Sequence, residues 1–316
     1  MSPLMISVVI CTHNRDYFLG DSIDSVLHQD FANYEVVVVD NASTDKTRQV
    51  VEERLPHHSQ LRYIYEPTLG LNVARNRGLQ ETIAPIIVYF DDDAIAPKQW
   101  LKAIQAAFET NQKIGVAGGK VDLIWPPGCQ RPQWLSDGLA VNLGAYDLGD
   151  TAQAITDPGL TPRGLNYAIR RDVLQEVGGF SLNLDRVGTN LLSNGDLYMT
   201  EMVLNHGYQV VYLPEAIVQH KVSPERMHLS WYFHRGWWQG VSEYYREQLA
   251  GKDEKAGKNK FFNGLEGLIR GLVKSVKYIN RPDLRLENLI YAYSQLGYLK
   301  YLIQGSNSLP VAKSKV

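Results

Sequence analysis

The sequence lacks several features that mark common functional classes. It has only two cysteines, Cys11 and Cys129, which make neither a disulfide framework nor a zinc-binding pattern. The formal net charge is -2, so no basic field indicates a nucleic-acid partner. No uninterrupted apolar segment is long enough to span a bilayer, and residues 1–5 show no signal peptide. These absences favour a globular protein of a reducing, cytoplasmic compartment.

Glycine is missing from the first predicted turn. A strand at residues 6–10 runs into residues 11–15 (CTHNR), whereas a dinucleotide-binding fold needs a Gly-rich turn at this point. A P-loop is absent as well, so hydride transfer is disfavoured. The polar side chains of the turn suit a base or ribose edge, and Asn14 is also a candidate cap for the following helix.

The first half of the chain alternates predicted strands and helices. Apolar, β-branched runs predict strands at residues 6–10, 35–40, 61–65 and 86–90. Helical spacing predicts helices over residues 16–29 and 73–81, and residues 43–45 can cap one between them. Near-continuous apolar strands between helices indicate an α/β fold with a mostly parallel central sheet flanked by helices.

Three consecutive carboxylates, Asp91, Asp92 and Asp93, follow the strand predicted at residues 86–90. Packed carboxylates repel each other and lose hydration, so a fold keeps them together only with compensation. Mg²⁺ or Mn²⁺, bound together with substrate phosphates, supplies that compensation. In an open α/β sheet, ligands bind at the carboxyl ends of strands. The alternative is a solvated acidic turn that caps a helix starting near Pro97 and Trp100.

Two further segments carry candidate ligand contacts. Asp40 ends the second predicted strand, where a carboxylate can accept from an imide N–H or a ribose hydroxyl. Arg75 and Arg77 lie near the start of a predicted helix, and arginines and helix N-termini both favour phosphate. Arginines on a helix are also commonly only solvated, so this signal is weak by itself.

The later part of the chain is less regular. Residues 121–162 are rich in Pro, Gly and Trp, and a loop region of that length is usually functional. The aromatic side chains at residues 125–134 suit sugar faces, whereas those at residues 231–245 are more typical of a helix packed on a core. Residues 251–260 indicate a linker or exposed loop.

An amphipathic helix is predicted beyond residue 260, and a second helix over residues 286–303. The apolar stripe of the first of these helices consists of Leu265, Leu268, Ile269, Leu272, Val273 and Val276. Arg270, Lys274 and Lys277 lie outside that stripe. We expect a helical pair that packs on the catalytic domain; the alternative is peripheral attachment to an anionic membrane surface.

Residues 8–15, 38–45, 70–78 and 91–93 together resemble, in order and spacing, the inverting nucleotide-sugar glycosyltransferases with the GT-A fold, in particular family 2. The resemblance covers roughly residues 5–222. It implies a GT-A domain over residues 1–222, with a nucleotide-sugar half at about 1–120 and an acceptor half at about 121–222. An aromatic-rich and amphipathic helical region follows over residues 223–316.

The resemblance implies roles for the polar residues of the first half. Thr12, Asn14 and Asp40 would line the base and ribose pocket, with Asp40 on the base edge. Arg75 would lie near the nucleotide.

The acidic run corresponds to the family's DXD motif. Asp92 would contact the ribose, and Asp93 would bind the Mn²⁺ or Mg²⁺ that bridges the diphosphate. Asp91 joins the residues that bind the nucleotide-sugar, without a more specific role. His220 follows a strand-like run, and in many relatives a histidine here approaches the metal or the diphosphate. A purely structural histidine is the alternative, and both remain open.

The resemblance also implies a general base, Asp196. Many members have Glu-Asp where this chain has Gly195 and Asp196, so one carboxylate remains instead of two. Without a catalytic role, Asp196 would be a helix N-terminal charge favoured by the helix dipole.

The implied function is metal-dependent transfer of a sugar, with inversion, from a nucleotide-sugar to a hydroxyl of a glycan or lipid-linked acceptor, in polysaccharide biosynthesis. UDP is the nucleotide that the resemblance favours, with GDP and dTDP open. The implied location is cytoplasmic or peripheral on the inner face of the membrane. A sugar-1-phosphate nucleotidylyltransferase would need a Gly-rich loop that does not follow Ile10. The remaining alternative is a non-catalytic relative that binds nucleotide-sugars or carbohydrates.

Overall fold

The computed structural model describes residues 4–251 and 257–305. The strands are β1 Ile6–Thr12, β2 Tyr34–Asn41, β3 Leu61–Glu66, β4 Ile86–Asp91, β5 Ala94–Ile95, β6 Ile114–Ile124, β7 Gln153–Ile155, β8 Asn166–Arg170 and β9 Gln209–Lys221. The α-helices are α1 Asp16–Leu27, α2 Thr47–Glu52, α3 Leu71–Glu81, α4 Trp100–Thr110, α5 Asp137–Ala140, α6 Arg171–Glu176, α7 Gly195–Asn205, α8 Leu229–Leu249, α9 Gly257–Lys277 and α10 Pro282–Gln304.

The described residues form two compact units. The first takes in the described residues up to Ile124, then Gly144–Leu182 and Gly195–Lys221. It contains the nine strands of the described chain. The second takes in Trp125–Leu143, Asn183–Asn194 and the described residues from Val222 onward.

One mixed sheet organises the first unit, with strand order β3-β2-β1-β4-β8-β6-β9-β5 and β7 paired with β9. The strands β3, β2, β1 and β4 run parallel to one another. Strand β8 runs antiparallel to β4 and β6, whereas β6 and β9 are parallel. The β-branched runs in β1 and β2 are buried along almost their whole length. The α/β fold predicted from those runs is therefore confirmed.

Strand register positions the polar residues at the carboxyl ends of β1, β2 and β4. Thr12 lies opposite Asp40 in the β1–β2 pair, and Cys11 lies opposite Asp91 in the β1–β4 pair. Because parallel strands end at the same edge of the sheet, the three polar segments predicted to bind a ligand meet there.

Strand β6 was not predicted, because Gly118 and Gly119 interrupt its apolar pattern. Both glycines are required by close backbone packing. A Cβ at Gly119 would lie 2.3 Å from the carbonyl oxygens of Leu213 and Ala216, and one at Gly118 would lie 2.4 Å from that of Asn166. The strand-like run before His220 belongs to a longer strand, β9, which begins at Gln209.

Helices α9 and α10 of the second unit pack through small residues rather than through the predicted apolar stripe. Gly264, Gly267 and Gly271 face α10, and a Cβ at Gly271 would lie 2.9 Å from the Cβ of Ala292. Small residues let helix backbones approach closely. The stripe residues Val273 and Val276 are consequently 63% and 70% exposed. The helical pair exists as predicted, but most of its apolar stripe is open to solvent. Within residues 4–251 and 257–305, no helix is long and apolar enough to cross a membrane.

Candidate active site

The acidic turn, Asp91, Asp92 and Asp93, connects β4 to the short strand β5. Strand β5 pairs with β9, with Ala94 opposite His220. This pairing brings the imidazole to the acidic turn, where His220 Nε2 lies 2.9 Å from Oδ1 of Asp93. Asp93 and His220 are far apart in the sequence and belong to separate motifs, but they are in contact in the structure.

Three side chains around the acidic turn form a candidate cation site. Asp91, Asp93 and His220 each offer one ligand atom, and these atoms lie within 4.8 Å of one another. Two carboxylates and an imidazole are a donor set that a divalent transition ion accepts. Asp93 and His220, the two predicted ligands, are brought together here, and Asp91 joins them although it was grouped with the nucleotide contacts. The ligand roles themselves stay predictions.

The charges of the acidic turn are only partly compensated by the protein. Burial raises the pKa of Asp91, and the charge of Asp93 raises it further. Burial and Asp93 likewise raise the pKa of Asp92 to about 7. The Arg15 guanidinium forms an ion pair with Asp93, and its Nε lies 3.5 Å from Oδ1 of Asp92. The charges of Arg15 and Arg75 offset those of the three crowded carboxylates only in part, which leaves negative charge that a cation would stabilise.

Thr12 and Asp40 are both buried where β1 and β2 end. The Asp40 carboxylate accepts from the Tyr63 hydroxyl at 2.7 Å and from the Ser43 N–H at 3.0 Å. Burial and the hydrogen bond from its hydroxyl to Asp40 raise the pKa of Tyr63, which keeps the phenol protonated. Tyr63 was not singled out in the sequence, because an isolated tyrosine in a strand carries no pattern. The base and ribose roles of Thr12 and Asp40 stay predictions.

Asn14 links the first two strand-end turns. It has a left-handed backbone with φ +52°, which asparagine tolerates better than most residues. Its side-chain oxygen accepts from the Thr44 N–H at 2.7 Å, and its own N–H donates to the Ser43 hydroxyl at 2.9 Å. Helix α1 begins after Arg15 without a side-chain cap, so Asn14 does not serve as that cap.

A second carboxylate centre lies at the start of α7. Asp196 is in the first turn of that helix, and its Oδ1 lies 2.8 Å from Nη1 of Arg75 in α3. Burial would lower the pKa of Arg75, but the charges of Asp196 and Asp91 raise it, so the guanidinium stays protonated. The Asp196 side chain is 28% exposed. It is thus fixed by a buried cation while remaining accessible to a substrate.

Gly164 completes the support of Asp196. Its N–H donates to Oδ2 of Asp196 at 3.0 Å. A Cβ at this position would lie 2.3 Å from Nη2 of Arg75 and 2.6 Å from Oδ2 of Asp196, so no other residue fits without displacing the ion pair. The sequence offered no sign of this role, because the close approach involves residues far apart in the chain.

Comparison with known proteins identifies the family and the fold of this chain. The model of the glycosyl transferase family 2 matches residues 7–177. A glucosyl-dolichyl phosphate glucuronosyltransferase of Haloferax volcanii is 23% identical over 245 residues, which are 76% of this chain and 76% of the relative.

Solved structures share the fold. The mannosyltransferase PcManGT of Pyrobaculum calidifontis, in complex with GDP-Man and Mn²⁺, matches with a TM-score of 0.55 and 20% identity. The match covers 99% of this chain and 78% of that one. S. aureus TarS 1-349 in complex with UDP-GlcNAc matches with a TM-score of 0.54 and 16% identity, over 93% and 92% of the two chains. The chain is a glycosyltransferase with the GT-A fold, and it belongs to glycosyl transferase family 2.

Proposed function

We propose that this glycosyltransferase moves a sugar, with inversion, from a nucleoside-diphosphate donor to a hydroxyl of a glycan or lipid-linked acceptor in polysaccharide biosynthesis. The observation that carries the proposal is the 2.8 Å ion pair between Arg75 and Asp196. The same guanidinium also lies in the field of Asp91, a member of the candidate cation site. A single displacement needs one carboxylate that acts on the acceptor and a separate positive site for the leaving group. The charge of Arg75 interacts with Asp196 and also with Asp91 of the candidate cation site.

In this mechanism Asp196 accepts the proton of the acceptor hydroxyl. The hydroxyl oxygen forms a bond to the anomeric carbon, and the bond from that carbon to the diphosphate breaks with its electron pair on the diphosphate. One displacement from the face opposite the leaving group inverts the anomeric configuration. Arg75 and the Gly164 N–H hold the carboxylate in one orientation, which keeps it positioned for the proton.

Asp91, Asp93 and His220 would hold the divalent cation, Mn²⁺ or Mg²⁺. When bound, it offsets the negative charge of the leaving diphosphate. Mg²⁺ prefers oxygen ligands, so the imidazole favours Mn²⁺. PcManGT, which shares the fold, was solved in complex with GDP-Man and Mn²⁺, and this supports the choice of Mn²⁺.

Thr12, Asn14 and Asp40 would form the base and ribose pocket, Asp92 would contact the ribose, and Arg75 would lie near the nucleotide. Two observations support this pocket. Thr12 and Asp40 lie at the ends of β1 and β2, Asp92 directly follows β4, and the TarS structure was obtained with a uridine nucleotide-sugar. We propose UDP as the nucleotide.

Calorimetric titration with UDP, GDP and dTDP, each with Mn²⁺ and again with EDTA, tests the donor half of the proposal. We expect UDP to bind in Mn²⁺ and to lose binding in EDTA. Equal binding in EDTA would refute the cation site. Once a donor is known, the anomeric coupling in the NMR spectrum of the product tests inversion, and a retained configuration would refute the single displacement.

For the acceptor, the similarity to the glucosyl-dolichyl phosphate glucuronosyltransferase of Haloferax volcanii supports a lipid-linked sugar. The exposed stripe of α9 would then hold the enzyme peripherally on the inner face of the membrane. Val273 and Val276 supply apolar area, and the exposed Arg270, Lys274 and Lys277 supply charge for anionic headgroups.

Sedimentation with vesicles tests this membrane contact. We expect the protein to bind phosphatidylglycerol vesicles more than phosphatidylcholine vesicles, and the double variant Val273→Asn, Val276→Asn to lose most of that binding. Ile83→Asn is the matched control, because Ile83 is 79% exposed and lies in the other unit. Absence of binding to either vesicle would refute the contact.

A further inference from the structure

Arg163 carries a largely buried charge that has no protein anion as partner. Its guanidinium lies 4.9 Å from the ring centroid of Tyr146, and its Nε is buried without a hydrogen-bond partner among the described residues. No ion pair forms to Arg163 within that part of the chain. The cation–π contact offsets only part of the cost of desolvating a guanidinium.

Two other arginines of the same unit have hydrogen-bond acceptors for their guanidinium groups. Arg75 has the Asp196 carboxylate at 2.8 Å. Arg170 also lies over an aromatic ring, that of Phe108, but donates to backbone carbonyls at 2.8 Å. Arg163 has the aromatic ring, but its buried Nε has no acceptor among the described residues, so this donor is available to a ligand.

Arg163 lies next to the residues that hold Asp196. It directly precedes Gly164, whose N–H binds Asp196. Asp196 acts electrostatically on Arg163. Because Asp196 is already paired with Arg75 at 2.8 Å, the charge of Arg163 is in excess on the side of the base.

We propose that Arg163 binds an oxyanion that the substrates carry near Asp196, distinct from the donor diphosphate. The planar guanidinium suits either a carboxylate on the transferred sugar or a phosphate on the acceptor, since both accept two parallel hydrogen bonds. Arg163 would thus select acidic sugars or phosphate-bearing acceptors, and Tyr146 would hold its guanidinium plane. This selection rests on the proposed function of the same site.

The test compares pairs of probes in which one member carries an oxyanion and the other carries a neutral hydroxyl at the same position. In the full chain with Mn²⁺, the affinity for UDP-glucuronic acid is compared with that for UDP-glucose, and the affinity for geranyl phosphate with that for geraniol. Each titration is repeated with Arg163→Gln and Arg163→Lys, and folding is checked by thermal melting. Arg281→Gln is the control, because Arg281 is an exposed arginine that pairs with Asp283 and lies in the other unit.

We expect the wild-type protein to prefer one charged probe over its neutral twin by at least about tenfold. Arg163→Gln should abolish that preference, Arg163→Lys should keep part of it, and neither should change the affinity for UDP. A preference in the first pair identifies a sugar carboxylate, and one in the second pair identifies an acceptor phosphate. The inference is overturned if wild type prefers neither charged probe, or if Arg163→Gln keeps the preference. If no nucleotide binds at all, the proposed function fails, while the geranyl phosphate pair still decides the role of Arg163.

Discussion

The two carboxylate centres of the first unit are neutralised in opposite ways. The acidic turn crowds three carboxylates against Arg15 and His220, and the pKa values of Asp91 and Asp92 are raised by burial and by Asp93. Asp196 is a single carboxylate, paired with a buried arginine at the start of a helix. The first arrangement favours a bound cation, and the second favours an oriented base. One site therefore contains the two electrostatic environments that a displacement of a diphosphate requires.

Asp196→Asn tests the base most directly. We expect transfer to fall by roughly 10² to 10⁴-fold, the usual contribution of a general base, while nucleotide affinity stays unchanged. Initial rates and calorimetry measure the two effects. Asp172→Asn is the matched control, because Asp172 is an exposed carboxylate in the first turn of α6 and should leave both unchanged. Normal turnover by Asp196→Asn would remove the base from the mechanism.

Asp93→Asn tests the cation site. This variant removes the carboxylate that contacts both His220 and Arg15, so we expect Mn²⁺-dependent nucleotide affinity to drop at least about tenfold. Titration with UDP in Mn²⁺ and in EDTA measures the difference. The exposed Asp150, replaced by Asn, should behave as wild type. A nucleotide affinity that remains as metal-dependent as before would contradict the ligand role of Asp93.

Gly164→Ala tests whether the orientation of Asp196 matters. The added Cβ would force Arg75 and Asp196 apart, so we expect destabilisation of about 1–3 kcal/mol and a lower transfer rate. Chemical denaturation and initial rates report the two effects. Gly20→Ala is the control, because its new Cβ would crowd a different ion-paired arginine, Arg54, which binds Asp24. An unchanged rate would mean that the ion pair does not position the base.

Arg15→Gln tests the partial neutralisation of the acidic turn and has the smallest expected effect. Without the guanidinium, the carboxylates have less compensation, and we expect Mn²⁺ alone to bind more tightly, by up to about tenfold. Electron paramagnetic resonance of free Mn²⁺ measures this in the absence of nucleotide. Arg281→Gln removes an exposed arginine that pairs with Asp283 and should have no effect. Weaker binding by Arg15→Gln would show that Arg15 assists the cation rather than competing with it.

The strands whose ends form the candidate site were predictable because their apolar, β-branched sequence patterns are local. The β-branched runs of β1, β2 and β4 are buried on both sides, and each ends in the polar segment expected there. Strand β6 escaped prediction because close packing against β8 and β9 requires glycines that hide its pattern. The stripe of α9 was recognised, but its exposure was not, because periodicity reveals an apolar face without revealing what covers it.

The sequence by itself determined the alternation of strands and helices, the carboxylates at the strand ends and the family to which their order corresponds. Tertiary structure decided which groups meet. His220 reaches Asp93 across 127 residues through the pairing of β5 with β9, and Arg75 reaches Asp196 across 121 residues where α3 approaches the start of α7. The physical reason is that hydrophobic periodicity and strand ends are local properties of the chain. Ion pairs between distant residues depend instead on strand register and on packing as close as that at Gly164.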